Sequence, residues 1–218
     1  MVAAKKAPGK VAAKTAAAKT AAAKAAPAAA TEPTLHFDDV AAWESWLKKE
    51  HAHATGVWMR IAKKGADRPS VSHPQALEVA LCYGWIDALK RNDGPHHWVQ
   101  RFTPRSARSI WSKINRDKVL ALIEAGRMHA AGQKEIDRAK ADGRWDAAYD
   151  GGRAATVPPD LQAAFDANPK AKAFFATLDS TNRYAVLFRL QTAKKPQTRE
   201  RRLRQFVEML ARGEKLHP

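Results

Sequence analysis

The chain has 218 residues, a formal net charge of +16 at pH 7 and a single cysteine, which excludes an intramolecular disulfide and a cysteine-based zinc site. No apolar run approaches the roughly 20 residues of a membrane span, and the N-terminus lacks the apolar stretch of a secretory signal. We therefore expect a cytoplasmic protein whose positive charge favours anionic surroundings, although a basic composition also occurs in proteins without nucleic-acid partners.

Residues 1–34 consist almost entirely of Ala, Lys, Thr and Pro and contain no aromatic residue. Such a segment cannot bury a core, so we predict a disordered basic tail. Its composition resembles the tails of linker-histone-like bacterial proteins, which bind the DNA backbone without sequence preference. The candidate nucleic-acid-binding residues of this tail are its six lysines: Lys5, Lys6, Lys10, Lys14, Lys19 and Lys24.

Residues 35–105 predict a small α+β unit. Asp38 is the expected N-cap of an amphipathic helix, because Val40, Trp43 and Leu47 then share one face. The alternation of apolar and polar residues over 57–64 predicts a first strand.

A helix and a hairpin complete this unit. Ser72 and Gln75 have the spacing of a capping box, and Gly84 ends the helix that they open. Residues 85–91 alternate as a strand, residues 92–95 form a turn, and a second strand runs over about 97–102. We expect the hairpin to bury aromatic rings on one face and to present polar groups on the other.

Residues 106–218 are helical throughout in our prediction, with glycine and proline separating short helices. The predicted fold class is therefore α+β: a small antiparallel sheet with helices in the N-terminal half, and an all-helical C-terminal half packed on it. The predicted divisions are 1–34, 35–105 and 106–218.

The strongest candidate site lies where the hairpin meets the next helix. A carboxylate, guanidinium groups, hydroxyls and indoles that converge there suit a small anion or the end of a peptide. The alternative is a structural Asp–Arg pair with the tryptophans as ordinary core. The candidate residues are Trp85, Asp87, Arg101, Thr103, Arg105, Ser109, Trp111, Ser112 and Asn115.

A second concentration of charge, the basic cap, comprises Lys194, Lys195, Arg199 and Arg202. Positive charge is unfavourable beside a helix N-terminus, so the helix dipole does not account for these residues. They either contact phosphate, clamp acidic groups elsewhere in the fold, or are simply solvated.

No nucleotide-binding or hydrolase motif is present, and the histidines lack the spacing of a metal site, so we predict no cofactor and no bound metal. Cys82 lies on an apolar helix face, which favours a buried structural thiol.

Six segments carry a family resemblance: CYGWID (82–87), RFTPR (101–105), S-x-W-S-x-x-N (109–115), AGRM (125–128), GRWDAAY (143–149) and AKKPQTRERR (193–202). In order and spacing they resemble the bacterial YdeI/OmpD-associated family, also called bacteriocin-protection proteins, over about residues 35–213. The resemblance implies a link to envelope or antimicrobial-peptide stress, and it implies no particular reaction or ligand.

Three functions therefore stay open. The first is a non-enzymatic accessory or stress-protection protein that binds an anionic ligand or protein partner through the candidate pocket. The second is a nucleic-acid-associated protein that contacts DNA or RNA phosphates through its tail, although it has no reader motif. The third is an enzyme that uses Asp87 and Arg101, for which the sequence offers no nucleophile and base.

Overall fold

The computed structural model describes residues 32–218. The predicted tail, residues 1–34, lies outside the described residues except for its last three positions, and all six of its lysines lie outside them. Between residues 32 and 218 the chain forms four strands and eight α-helices. In chain order they are β1 (Thr34–His36), α1 (Val40–Glu50), β2 (Val57–Ala62), α2 (His73–Cys82), β3 (Trp85–Asp93), β4 (His97–Pro104), α3 (Lys113–Glu124), α4 (Ala130–Ala141), α5 (Pro159–Ala167), α6 (Pro169–Thr177), α7 (Ser180–Gln191) and α8 (Pro196–Ala211).

The four strands form one sheet in the order β1-β2-β4-β3. The predicted hairpin of β3 and β4 is confirmed, and β2 also pairs antiparallel to β4. The predicted α+β class is confirmed, but the sheet is mixed because β1 pairs parallel to β2. A strand of three residues is too short to show alternation in the sequence, which is why it was not predicted.

A bulge in β3 changes which side chains share a face of the sheet. Asp87 lies opposite Phe102, whereas Lys90 lies opposite Gln100, so β3 holds one residue more than β4 between these pairs. Beyond the bulge the predicted alternation of 85–91 no longer holds, since an extra residue moves later side chains to the other face. Arg91 therefore lies on the outer face, with its guanidinium carbon 4.2 Å from the ring centroid of Trp58.

The inner face of the sheet packs against α1 and α2 in an aromatic core. Trp43 and Phe102 are fully buried there, and Trp85 is 1% exposed. The buried indoles have acceptors: Trp43 Nε1 donates to the carbonyl of Ala76 at 3.0 Å, and Trp85 Nε1 donates to that of His51 at 3.1 Å. The same core continues through Trp111 and α4.

A second apolar core lies among helices α5 to α8, around Leu161, Phe165 and Leu190. The two cores adjoin near residues 149–158, where the chain passes from one to the other. None of the helices between residues 32 and 218 has the length and apolar character needed to cross a membrane.

Helix caps differ from the prediction by one residue in α1. Asp39 is its N-cap and accepts from the backbone N–H of Ala42 at 2.8 Å, while Asp38 forms an ion pair with Arg68. Either aspartate satisfies the sequence preference for an N-cap, so sequence alone does not choose between them.

Two glycines allow α4 to lie directly on the turn between α2 and β3. Gly84 has a φ of +74°, and a Cβ atom there would stand 2.9 Å from the carbonyl oxygen of Ala131. A Cβ on Gly132 would overlap the carbonyl oxygen of Cys82. Because glycine has no Cβ, the backbone of α4 lies closer to the turn between α2 and β3 than a residue with a side chain at either position would permit.

Candidate anion-binding site

The structure separates Asp87 from Arg101. Asp87 points toward α2, where its Oδ2 lies 3.0 Å from Nε2 of His73. Arg101 extends from the opposite face and donates two hydrogen bonds to Glu32, which hold the pKa of that carboxyl below its usual range. The described chain is thus part of the fold from Glu32, three residues before the predicted start, and Asp87 and Arg101 line no common pocket.

Several other predicted residues have structural contacts. Trp85 belongs to the aromatic core, and Thr103 lies on the outer face opposite Ile86. Ser112 is the N-cap of α3, with its hydroxyl accepting from the backbone N–H of Asn115 at 3.1 Å.

Arg105 and Trp111, by contrast, come together as predicted. The guanidinium carbon of Arg105 lies 3.6 Å from the ring centroid of Trp111, and the arginine is only 6% exposed. Its Nη1 donates to the carbonyl of Ile110 at 3.3 Å, but Nε and Nη2 have no acceptor between residues 32 and 218. Burial lowers the pKa of Arg105 to about 10, against the raising effect of the charges of Tyr149, Glu135 and Asp87.

Two further arginines reach the same place from α4 and the segment after it. Arg138 pairs with Glu135, and its Nη2 donates to the carbonyl of Arg105 at 3.4 Å. Arg144 donates from Nη1 to the carbonyl of Ser109 at 2.7 Å and from Nε to Asp142 at 2.8 Å. We call Arg105, Arg138 and Arg144 the arginine cluster.

The arginine cluster is rich in donors and poor in acceptors. Within residues 32–218, five buried side-chain nitrogen or oxygen atoms lack a hydrogen-bond partner, and all five are nitrogens of the cluster or of Trp111 beneath it. They are Arg105 Nε, Arg105 Nη2, Trp111 Nε1, Arg138 Nε and Arg144 Nη2. Arg144 Nη2 lies 2.7 Å from Asp142 Oδ2, but without the alignment of a hydrogen bond.

A cavity of about 240 Å³ opens beside the cluster. This anion cavity is lined by Ile110, Arg144, Ala147, Tyr149, Gln191, Thr192, Ala193 and Lys194. Burial raises the pKa of the Tyr149 phenol, whereas a hydrogen bond with Ser112 and the positive charge of Arg105 lower it. Tyr149 therefore lines the cavity and also interacts electrostatically with the arginine cluster. Lys194 is exposed and has no ion-pair partner in the described part of the chain.

An adjoining cavity of about 310 Å³ shares Gln191 as a lining residue. This proline cavity is lined by Asp150, Ala155, Thr156, Val157, Pro158, Pro159, Leu187, Gln191 and Arg199. Gln191 fixes the wall between the cavities, because its amide accepts from the N–H of Asp150 at 3.1 Å and donates to the carboxylate of the same residue at 2.6 Å.

The basic cap divides into two pairs. Arg199 donates to Asp160 from two nitrogens and from Nη1 to the carbonyl of Leu190 at 2.8 Å. Arg202 donates to the carbonyl of Arg189, so both arginines serve the C-terminal end of α7. Lys194 lines the anion cavity, whereas Lys195 is exposed at the N-cap of α8.

Arg138, Arg144 and Tyr149 were absent from the residues proposed from sequence. Arg144 and Tyr149 both lie in the segment GRWDAAY, one of those that carry the family resemblance, so this segment was the available signal. Arg138 sits on an ordinary charged helix, and no sequence feature marks it. In the described residues, no group of three His, Cys, Asp or Glu side chains is placed to hold a metal ion.

Two family models match separate parts of the chain. Residues 154–213 match the family model described as "Bacteriocin-protection, YdeI or OmpD-Associated". Over this C-terminal region the chain is therefore similar to the YdeI/OmpD-associated family. Residues 35–135 match a model described as "Domain of unknown function (DUF8412)". No curated protein and no solved structure is significantly similar to the chain.

The resemblance predicted over about residues 35–213 is thus confirmed for residues 154–213, whereas residues 35–135, which hold four of its six segments, match a different model. The YdeI/OmpD-associated match contains Gln191 and Lys194, whereas Arg144 and Tyr149 lie between the two matched regions. The anion cavity therefore draws its lining from both matched regions, the first through Ile110, and from the segment between them.

Proposed function

We propose that this protein is a non-enzymatic accessory protein of the YdeI/OmpD-associated type that binds a small anion at the arginine cluster. The observation that carries the proposal is the set of four buried donor atoms that have no acceptor in residues 32–218: Arg105 Nε, Arg105 Nη2, Trp111 Nε1 and Arg138 Nε. An oxyanion accepts hydrogen bonds and donates none, so it supplies the acceptors that these donors lack.

Hydrogen-bond energetics support an anionic occupant. A buried donor left without a partner costs about 1–3 kcal/mol, and more when the group is charged. Arg105 has no carboxylate within ion-pair distance among the described residues, and its lowered pKa reflects the burial of its charge. A bound anion would satisfy these donors and offset the loss of hydration of Arg105.

Access to the cluster supports the same proposal. Arg144, which is 8% exposed, belongs to the cluster and also lines the anion cavity. Lys194 brings a second positive charge to the opposite wall. A volume of about 240 Å³ suits a small ligand such as phosphate, sulfate or a carboxylate head group.

The test is the thermal stability of the full chain in inorganic phosphate, sulfate and acetate at constant ionic strength. A ligand that binds the native state alone adds about 2.7 kcal/mol at a hundredfold excess over its Kd. We expect Arg105→Met to abolish this stabilisation. The matched control is Arg101→Met, which removes the same charge from the outer face and should leave the response to anions unchanged.

Two outcomes would contradict the proposal. One is a wild-type protein that none of the three anions stabilises. The other is an equal loss of the response in the Arg101 and Arg105 variants, which would indicate a general effect of charge and not a site.

The family description adds a biological setting to this accessory role. Protection against bacteriocins is stated for the family, and we extend it to this chain as part of the proposal. Deletion of the gene should then increase sensitivity to such peptides, and the Arg105→Met variant should fail to restore resistance.

A second candidate function concerns residues 1–31 and is supported by their composition. Six lysines and no acidic residue in this segment suit contact with the phosphates of DNA or RNA. If about four to six phosphates are neutralised, log K should fall with log salt at a slope of roughly −4 to −5 on duplex DNA. A salt titration with two unrelated duplexes tests this, and equal affinity of a chain lacking residues 1–31 would contradict it.

A further inference from the structure

The anion cavity and the proline cavity form two ends of one binding surface. They lie side by side because Gln191 lines both, and together they enclose volumes of about 240 and 310 Å³ where the two apolar cores adjoin. Gln191 is exposed at the boundary between them, so a ligand with its anionic group at Arg144 would cross over this side chain to reach the second cavity. The question is what kind of ligand the second cavity suits.

Residues 155–158, which form part of the wall of the proline cavity, belong to no helix or strand. Pro158 has φ −73° and ψ 157°, and a proline restricts the residue before it, Val157, to extended conformations. The N–H groups of Thr156 and Val157 form no hydrogen bond with any residue from 32 to 218, and neither do the carbonyls of Ala155, Thr156 and Val157. This stretch therefore presents free main-chain donors and acceptors like the edge of a sheet.

Charge distinguishes the two ends. In the proline cavity, Arg199 is paired with Asp160 and Asp150 with Lys113, so the ionic groups there are neutralised. Its remaining walls include the apolar side chains of Val157 and Leu187. In the anion cavity, Arg144 is paired with Asp142, but Lys194 has no such partner within the described residues. The surface therefore suits a ligand with a negative group at one end and an apolar body.

We infer that the ligand of this surface is the carboxyl-terminal end of an extended peptide. Its terminal carboxylate lies at Arg144 and Lys194, and its preceding residues pair with the backbone of residues 155–157. Main-chain pairing together with capture of a terminal carboxylate is a recurring mode of peptide recognition. This inference rests on the proposed function, since it names the class of anion that the arginine cluster binds.

The experiment is a calorimetric titration of the full chain with two peptides of the same sequence, acetyl-Ala-Val-Ala-Val. One ends in a free carboxylate and the other in a carboxamide. We expect the free acid to bind at least tenfold more tightly than the amide, because only the acid offers a full negative charge to the guanidinium and ammonium groups.

Matched variants locate the two parts of the surface. Lys194→Met should weaken binding of the free acid about tenfold or more, whereas Lys195→Met removes the same charge outside the cavity and should have no effect. Thr156→Pro removes one main-chain donor and should weaken binding of the peptide but not of inorganic phosphate. Thermal unfolding of each variant checks that it is folded.

The outcomes separate this inference from the proposed function. Binding of phosphate without binding of the free-acid peptide overturns the inference and leaves the anion site in place. Equal binding of acid and amide also overturns it, since the terminal carboxylate would then make no contribution. If phosphate and both peptides fail to bind, the inference and the proposed function fall together.

Discussion

Arginines in two regions of this protein are bound in opposite ways. At the end of α7, each of the three side-chain nitrogens of Arg199 donates to a carboxylate or a carbonyl. In the arginine cluster, two of the three nitrogens of Arg105 are buried without an acceptor among the described residues. The first arginine joins helices, whereas the second keeps donors that no described residue satisfies.

The difference shows that a count of positive charges does not locate a binding site. The basic cap is the denser run of charge along the chain, yet its two arginines serve the C-terminal carbonyls of α7, where positive charge is favourable. Arg105, Arg138 and Arg144 are spread over forty positions, and only the fold brings them together. Whether each donor has an acceptor is what separates the two regions.

The largest expected effect comes from the ring beneath the cluster. Trp111 is 1% exposed, so Trp111→Ala should destabilise the protein by about 3–5 kcal/mol in urea unfolding. Trp58→Ala, on the outer face, should cost less because that ring is only half-buried. Near-normal stability of the Trp111 variant would identify the ring as the lining of an open site and would weaken its assignment to the core.

The next largest loss of stability is expected at Arg199, whose donors all have acceptors, in contrast to those of Arg105. Arg199→Met removes charge-assisted hydrogen bonds to Asp160 and the carbonyl of Leu190, so we expect a loss of about 2–3 kcal/mol. Anion affinity should stay unchanged, because Arg199 does not line the anion cavity. A stable Arg199 variant with reduced anion affinity would reverse the comparison.

Arg105→Met should have a much smaller effect on stability in the absence of ligand. Replacing a buried charge without an acidic partner by an apolar side chain of similar length is often neutral or stabilising, so we expect a change within about 1 kcal/mol. Urea unfolding without added anions measures it. A loss as large as that of Arg199→Met would show that the contacts of Arg105 with Trp111 and the carbonyl of Ile110 stabilise the fold as strongly as satisfied charge-assisted hydrogen bonds do.

Acid sensitivity gives a smaller effect. The hydrogen bond from Arg199 lowers the pKa of Asp160, so the stabilisation is present above the unfolded value of about 3.9 and is lost as pH falls through the folded pKa. Asp160→Asn should therefore lose less stability than the wild type between pH 7 and pH 3, by at most about 1 kcal/mol for this partly exposed pair. Asp166 forms a more exposed ion pair with Lys172, so the acid sensitivity of Asp166→Asn should differ less from that of the wild type.

The smallest effect is expected from shortening the N-terminus. Residues 1–31 contain no aromatic residue, leucine or isoleucine, so their removal should leave Tm nearly unchanged. Removal of residues 1–34 also deletes Glu32, the partner of Arg101, and should lower Tm by about 2–4 °C for each kcal/mol lost. A drop of more than about 4 °C on removing residues 1–31 alone would show that this segment adds to stability.

Local patterns predicted the hairpin and the helices, because each depends on residues close together in sequence. The capping residues of α2 and the glycine at its end illustrate this. The separation of Asp87 from Arg101 was not predictable, since it depends on which residues of β3 and β4 lie opposite each other. Arg105 was identified from its position after the hairpin, whereas Arg138 comes from a helix whose packing no local pattern describes.

The close approach of α4 at Gly84 and Gly132 gives the site a point of control that carries no charge. Arg138 lies on α4, and its distance from Arg105 depends on how near that helix sits to the turn between α2 and β3. A single methyl group at Gly132 would move α4 outward and widen the cluster without altering any arginine. At the proposed anion site, backbone spacing alone would then set the selectivity between a compact anion and a bulkier one.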